Sequence, residues 1–350
     1  MTSSERAPLP TVRFCVVGAG AIGAYVGAAL ARGGAEVTLI ARGPHLAAMR
    51  ERGGVEVRSE RGDFSARVAA TDDMTAVGPV DCVVIALKAH QIAPMLPKIE
   101  TLLGPHTRVI GMQNGIPWWY FQRLGGPHEG LVLQTVDPGG KLAAAFDPDR
   151  VIGCVIYSST EIESPGVIRH VEGTRYSLGR PDGGDDPFLE RIAAAFVAGG
   201  LKAPVERDLR TDIWVKLLGN ASINPISALT RATIAGMMRD PGAEALIREM
   251  MEEVQALANA LGVTLPISID KRMDGARRVG EHKTSMLQDV ELGRPFELDV
   301  MLGAVVELGG VLNVPVPASR HVYALTKLLD TTLRAERERN ASATATSATR

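Results

Sequence analysis

No sign of charge dominates this chain: 38 Lys and Arg face 40 Asp and Glu, a net charge of −2 over 350 residues. That balance excludes an electrostatic footprint for nucleic acid or an anionic membrane and points to a small partner. Nor does any apolar run approach the roughly 20 residues needed to cross a bilayer. The opening MTSSERAPLPT lacks the basic-then-apolar pattern of an export signal, so the expectation is a cytoplasmic protein with no membrane partner. Cysteine is sparse, at positions 15, 82 and 154, an odd number inside apolar runs with neither pairing nor metal spacing, which reads as core packing. Histidines at 45, 90, 106, 128, 170, 282 and 321 include no close pair at ligand spacing, so no metal site is expected.

What is present is length for about two domains. Residues 12–206 alternate short apolar runs with amphipathic stretches: VRFCVV (12–17), EVTLI (36–40), DCVVIAL (81–87) and TRVIGMQ (107–113). Such alternation predicts a parallel sheet covered by helices, its strands apolar along their length because both faces are buried. Strand-like runs over 151–180 add antiparallel strands, and a helix over 187–199 closes the domain. Residues 207–334 turn helical, with apolar residues at helical spacing in EALIREMMEEVQALANAL (244–261) and further helices at 267–279, 297–309 and 318–334. The methionines there read as core filler. Residues 1–11 and the small, polar 335–350 are expected to be disordered.

The strongest local signal is VVGAGAIGAYVGAAL (16–30). Gly18, Gly20 and Gly23 follow a strand and open a helix, with Ala19, Ala21 and Ile22 between them. Gly18 permits the tight turn, Gly20 lets backbone approach a pyrophosphate, and Gly23 lets helix and sheet pack closely, with the helix N-terminus facing the anion. The second strand ends in LIARG, offering Arg42 where a site for NAD offers an acid. A guanidinium suits a 2′-phosphate, so NADP is the expected cofactor; the plain alternative is a surface arginine. Lys88 and Asn114 follow central strands, at the sheet edge where such folds bind ligands, although Lys88 also fits an exposed loop and Asn114-Gly115 a simple turn.

In WVKLLGNASINP (214–225), Lys216, Asn220 and Asn224 recur every fourth residue. Each step of four advances about 40° around a helix, so they form one slanting polar stripe. Pro225 is expected to bend or end the helix. By itself the stripe fits a solvated surface equally well.

Taken together, GAGAIG (18–23), ALKAHQ (86–91), QNG (113–115), WVKLLGNASINP, SMLQDV (285–290) and FELD (296–299) resemble the ketopantoate reductase family over nearly the whole chain. The resemblance implies an α/β fold with an N-terminal Rossmann-type NADP-binding domain and an all-helical C-terminal domain like that of 6-phosphogluconate dehydrogenase. It implies reduction of the 2-keto group of ketopantoate by NADPH on the way to pantothenate. On this basis Lys216 matches the proton donor, and Asn220 and Asn224 match substrate-binding amides. Ser285 matches a residue that holds substrate, and Glu297 one beside cofactor and lysine. Asn114 matches a contact to both nicotinamide and substrate, and Arg42 and Lys88 match cofactor contacts. Chemically the set is coherent: hydride addition to a keto carbon makes an alkoxide that must be protonated, and amides grip a carboxylate without competing for that proton. Partial burial would lower the Lys216 pKa and Glu297 would oppose that, leaving the net direction open. Family resemblance and the helical second domain together suggest a homodimer.

Two departures stand out. Ile234, in RATIAG (231–236), occupies a position where the family commonly has another substrate-binding asparagine. The segment 117–150 looks about twenty residues longer than the usual link, judged by ordinary loop lengths. It begins PWWYF (117–121), and Trp118 and Trp119 fit an apolar pocket wall, a lid, or plain packing and subunit contact. These departures motivate a second reading, a reductase of a bulkier or more apolar 2-keto acid. A non-catalytic NADPH-binding sensor would have no need of Lys216 and the amides.

Overall fold

The computed structural model describes residues 11–348, with side chains through residue 339. The chain divides into two compact units, the first comprising residues up to Gln113, Gln122–Gly125 and Ala144–Leu209, the second Asn114–Phe121, Gly126–Ala143 and everything from Arg210.

The first unit is built on β1 (Arg13–Val17), α1 (Ala21–Arg32), β2 (Glu36–Ile40), α2 (Gly43–Arg52), β3 (Gly54–Ser59), β4 (Phe64–Arg67), β5 (Ala69–Thr71), β6 (Val80–Ile85), α3 (Ala89–Ile99) and β7 (Leu103–Gly111). After the one-turn α4 (Lys141–Ala145) come β8 (Val151–Ser164), β9 (Val167–Gly179) and α5 (Pro187–Ala198). All nine strands join one sheet in the order β4-β3-β9-β8-β7-β6-β1-β2-β5. From β5 through β8 the pairing is parallel, and β8 and β9 form an antiparallel hairpin. The strand β1 lies between β2 and β6, its Val17 in register with Ile40 on one side and Ile85 on the other. The chain order reverses at β1, which makes its carboxyl end the topological switch point where such sheets take ligands. Alternate burial is absent from β1, where Phe14, Cys15, Val16 and Val17 are all at most 1% exposed, because helices cover both faces. No cysteine is disulfide-bonded and all three are buried; burial pushes the Cys15 thiol up to about 12, and burial together with the neighbouring Asp81 carboxylate raises Cys82 well above its ordinary value.

The second unit is helical: α6 (Leu209–Thr230), α7 (Ile234–Arg239), α8 (Pro241–Ala260), α9 (Ile269–Val279), α10 (Ser285–Glu291), a π-turn (Asp299–Gly303), α11 (Ala304–Val311) and α12 (Pro317–Ala348). Met250, Met251, Val254 and Leu257 of α8 are fully buried, each apolar side chain contributing about 1.5–3 kcal/mol. The start of α12 is held by Glu253, whose carboxylate accepts from the amides of Ala318 and Ser319 at 2.8 Å each, satisfying two donors that a helix N-terminus leaves open.

Three expectations need correction. The segment 117–150, read as part of the first domain, contributes residues 117–121 and 126–143 to the second unit, and the division falls at Leu209 rather than 206. A carboxylate explains much of that transfer: Glu307 of α11 accepts from the amides of Gln134 and Thr135 and from the Thr135 hydroxyl at 2.6–2.8 Å. Pro225 does not end its helix, since α6 continues to Thr230. An interior proline costs about 3 kcal/mol, but residues 221–228 are buried without interruption, and burial of Ile223 and Ile226 alone offsets that cost. Lastly, residues 335–348, expected to be disordered, extend α12. Glu and Arg are good helix formers, and lengthening a helix needs no new nucleus; Arg337 also donates to the Gly293 carbonyl at 2.7 Å. Of the disorder expectations, residues 1–10 and 349–350 lie outside the described residues.

Candidate functional site

At the carboxyl end of β1 the chain turns through Gly18, whose φ of +99° is accessible to glycine but strained for other residues. The amides of Gly18 and Ala19 donate to the Ile40 carbonyl at 3.3 and 2.9 Å, tying the turn to the end of β2. A Cβ at Gly23 would lie 2.2 Å from the Gly18 carbonyl oxygen, so a glycine is required for α1 to start this close to the strand. At Gly20 a Cβ would meet nothing within 4 Å, leaving open space in front of the helix. Gly20 caps α1 without any side-chain hydrogen bond, so among the described residues no capping side chain closes off the first amides of α1, including those of Ala21 and Ile22. An uncapped N-terminus facing space suits a pyrophosphate, and the residues fit a dinucleotide.

The two basic residues lie on the same carboxyl edge of the sheet. Arg42 is exposed and immediately precedes α2, two residues beyond β2. Lys88 precedes α3, three residues beyond β6, and its amide donates to the Gln91 side chain at 3.2 Å. Gln113 closes the neighbouring strand ends: its Nε2 donates to the carbonyls of Ile85 and Leu87 at 2.8 and 3.3 Å. Gln113 belongs to the QNG run, whose spacing alone does not reveal this tie.

The second unit gathers a different set. Lys216 Nζ donates to Asn114 Oδ1 at 2.8 Å, and Asn114 Nδ2 donates to Glu297 Oε2 at 3.2 Å. The amide orientation follows from chemistry, because an ammonium can only donate and a carboxylate can only accept. A hydrogen-bond donor, a neutral bridge and an acceptor are thus joined in one series. All three are half-buried, accessible yet partly shielded from water. Asn220 and Asn224 follow Lys216 at one and two turns along α6, the former half-buried and the latter 7% exposed. Among the described residues neither amide has a side-chain hydrogen bond, which leaves their polar atoms available to a ligand.

Ser285 is not drawn into this series. It opens α10, exposed, after Thr284 caps the helix by accepting from Leu287 at 3.2 Å. Ile234 opens α7, half-buried, with its amide donating to the His282 carbonyl at 3.0 Å. Trp118 and Trp119 are only 5% and 1% exposed, which favours packing among their expected roles. Tyr120 was missed by sequence reading: its hydroxyl accepts from Trp214 Nε1, and its carbonyl accepts from Arg210.

Two family models match the chain, "Ketopantoate reductase PanE/ApbA" over residues 14–119 and "Ketopantoate reductase PanE/ApbA C terminal" over residues 208–330. A 2-dehydropantoate 2-reductase of Mesorhizobium japonicum is 48% identical over 319 residues, 91% of this chain and 98% of that protein. A second, from Halobacterium salinarum, is 28% identical over 91% of this chain and 98% of its own length. Among solved structures, a candidate ketopantoate reductase from Ralstonia solanacearum superimposes with a TM-score of 0.86 at 38% identity, covering 93% of this chain and 99% of its own.

Proposed function

The chain belongs to the ketopantoate reductase family, and we propose that it reduces 2-dehydropantoate to (R)-pantoate with NADPH. The observation that carries this reading is the hydrogen-bonded series Lys216–Asn114–Glu297, with Lys216 on the helix that also presents Asn220 and Asn224. When bound, the reduced nicotinamide supplies a hydride to the keto carbon. The charge that then develops on the keto oxygen is met by Lys216, whose Nζ carries both a positive charge and the proton that the oxygen takes up. Asn114 accepts one Nζ proton and so aims the ammonium, while Glu297 fixes the amide from its other side. Asn220 and Asn224 donate to the substrate carboxylate, and Ser285 adds a hydroxyl at the substrate.

Selection of NADP over NAD rests on Arg42, which stands where a carboxylate would otherwise bind ribose hydroxyls. The uncapped start of α1 takes the pyrophosphate and Lys88 takes part in holding the cofactor. A homodimer belongs to the same proposal and rests on the resemblance and the helical second domain; light scattering reads the assembly directly.

Steady-state assays with purified protein test the substrate. NADPH oxidation driven by ketopantoate with kcat/KM above that for other 2-keto acids supports the reading, and no oxidation at millimolar ketopantoate sinks it. Ile234, apolar where the family has an amide, supports the second reading of a more apolar 2-keto acid. A panel ranking such an acid above ketopantoate would favour it.

A further inference from the structure

The turn that carries Asn114 is seated on helix backbone at Val300, three residues from Glu297. Gly115 has φ +80°, and a Cβ there would lie 2.0 Å from the Val300 oxygen, 2.5 Å from the Val300 carbonyl carbon and 3.0 Å from the Met301 nitrogen. These are backbone atoms inside a buried turn of helix, so they cannot swing aside as a side-chain tip would. The next amide completes the joint: Ile116 N donates to the Val300 oxygen at 2.8 Å.

In a regular α-helix the Ala304 amide would bond the Val300 carbonyl. Here it bonds Asp299 and Met301 instead, because residues Asp299–Gly303 form a π-turn. The local rewiring turns the Val300 carbonyl into an acceptor for a strand-end loop 184 residues earlier in sequence, as shown by the Ile116–Val300 bond.

We propose that Gly115 and the π-turn at Val300 form a joint that positions Asn114, and that Gly115 is a positioning residue for the reaction. The inference rests on the role proposed for Lys216. The loop touches the helix at Val300 through Gly115 and Ile116, and one residue before that contact Asn114 bridges Lys216 and Glu297. A side chain at Gly115 must lift the loop off the π-turn or twist it, and either movement shifts the Asn114 amide relative to Lys216 Nζ. Misplacement of a reacting group by about 1 Å costs on the order of a hundredfold in rate.

The test is Gly115→Ala combined with Asn114→Ala. The expected result is that Gly115→Ala lowers kcat by about a hundredfold while NADPH affinity stays within about twofold, and that the double variant is no slower than Asn114→Ala alone. Such non-additivity is the signature of residues acting through one contact. Additive losses in the cycle, or a wild-type kcat in Gly115→Ala, overturn the proposal.

A crystal structure of Gly115→Ala reads the geometry without turnover and keeps this proposal separable from the choice of substrate. The Asn114 Oδ1 to Lys216 Nζ separation should exceed hydrogen-bond distance, and a retained bond counts against the joint. Should the variant not fold, amide exchange in the wild-type protein decides. Ile116 N–H should exchange at least about a hundredfold more slowly than an open loop amide, and exchange at the open-loop rate overturns the joint.

Discussion

Trp214 and Tyr120 share a buried hydrogen bond: the indole Nε1 donates to the phenolic oxygen at 2.6 Å, and the ring planes stand 86° apart with centroids separated by 6.3 Å. Trp214 lies two residues before Lys216 on α6, and Tyr120 six residues after Asn114. The bond therefore fixes the start of the 117–150 segment to the helix that bears the candidate proton donor. Tyr120→Phe removes the acceptor and leaves the indole donor buried. It should destabilise the protein by about 1–3 kcal/mol in urea unfolding, and a change below a few tenths would show that the bond contributes nothing net.

Removal of the candidate acid should separate chemistry from binding. Lys216→Ala is expected to lower kcat by about 10²–10⁴-fold, while the NADPH dissociation constant, read by fluorescence titration, stays near wild type. Comparable loss of both would instead assign the lysine to the cofactor.

Cofactor choice should respond to Arg42. A charge-assisted hydrogen bond is worth about 1.5–3 kcal/mol, so Arg42→Ala should weaken NADPH binding by roughly ten- to a hundredfold and leave NADH almost unaffected. Equal effects on both cofactors would remove the 2′-phosphate from its proposed partner.

Acid sensitivity should have one identifiable source in His45. Its Nδ1 accepts from the Gly166 amide at 2.9 Å, which requires the neutral ring, and burial lowers its pKa below the ordinary 6.5. The unfolded chain therefore binds a proton at higher pH than the folded one. The neutral imidazole's contribution is fully present above about 6.5 and is lost as pH falls toward the depressed folded value, with a slope of at most about 1.4 kcal/mol per pH unit. Urea midpoints for wild type and His45→Gln should converge as pH drops from about 7.5 to 5.5. Parallel curves would locate the sensitivity elsewhere.

Much of this architecture was legible because local rules and tertiary structure agree. Strand, Gly18-x-Gly20-x-x-Gly23 and helix is a short-range pattern whose geometry follows from the sterics of glycine, and the stripe Lys216, Asn220, Asn224 is simple helical arithmetic. Elements β3, β4 and β5 escaped because GVEVRS, FSAR and AAT are short and half-polar, β4 and β5 as the two edge strands and β3 as the strand next to one edge, where one face need not be apolar. Pro225 misled because local propensity was outweighed by burial. The bond between Asn114 and Glu297 spans 183 residues, beyond any spacing rule, and only resemblance to a family brought the two together beforehand. Nothing in FELDVMLG announces a π-turn, whose Val300 carbonyl is bonded by a loop far away in sequence.

The three buried thiols have a practical consequence. Cys15, Cys82 and Cys154 all belong to the first unit, and the second contains no cysteine. With all three buried, Cys15 held at about 12 and Cys82 raised as well, alkylating reagents reach these thiols only when the sheet opens. The protein thus carries its own clock for one of its two halves. Timed labelling in dilute denaturant counts openings of the nucleotide-binding unit alone, with no engineered probe, and comparison with a global signal would reveal whether the helical unit opens in the same step.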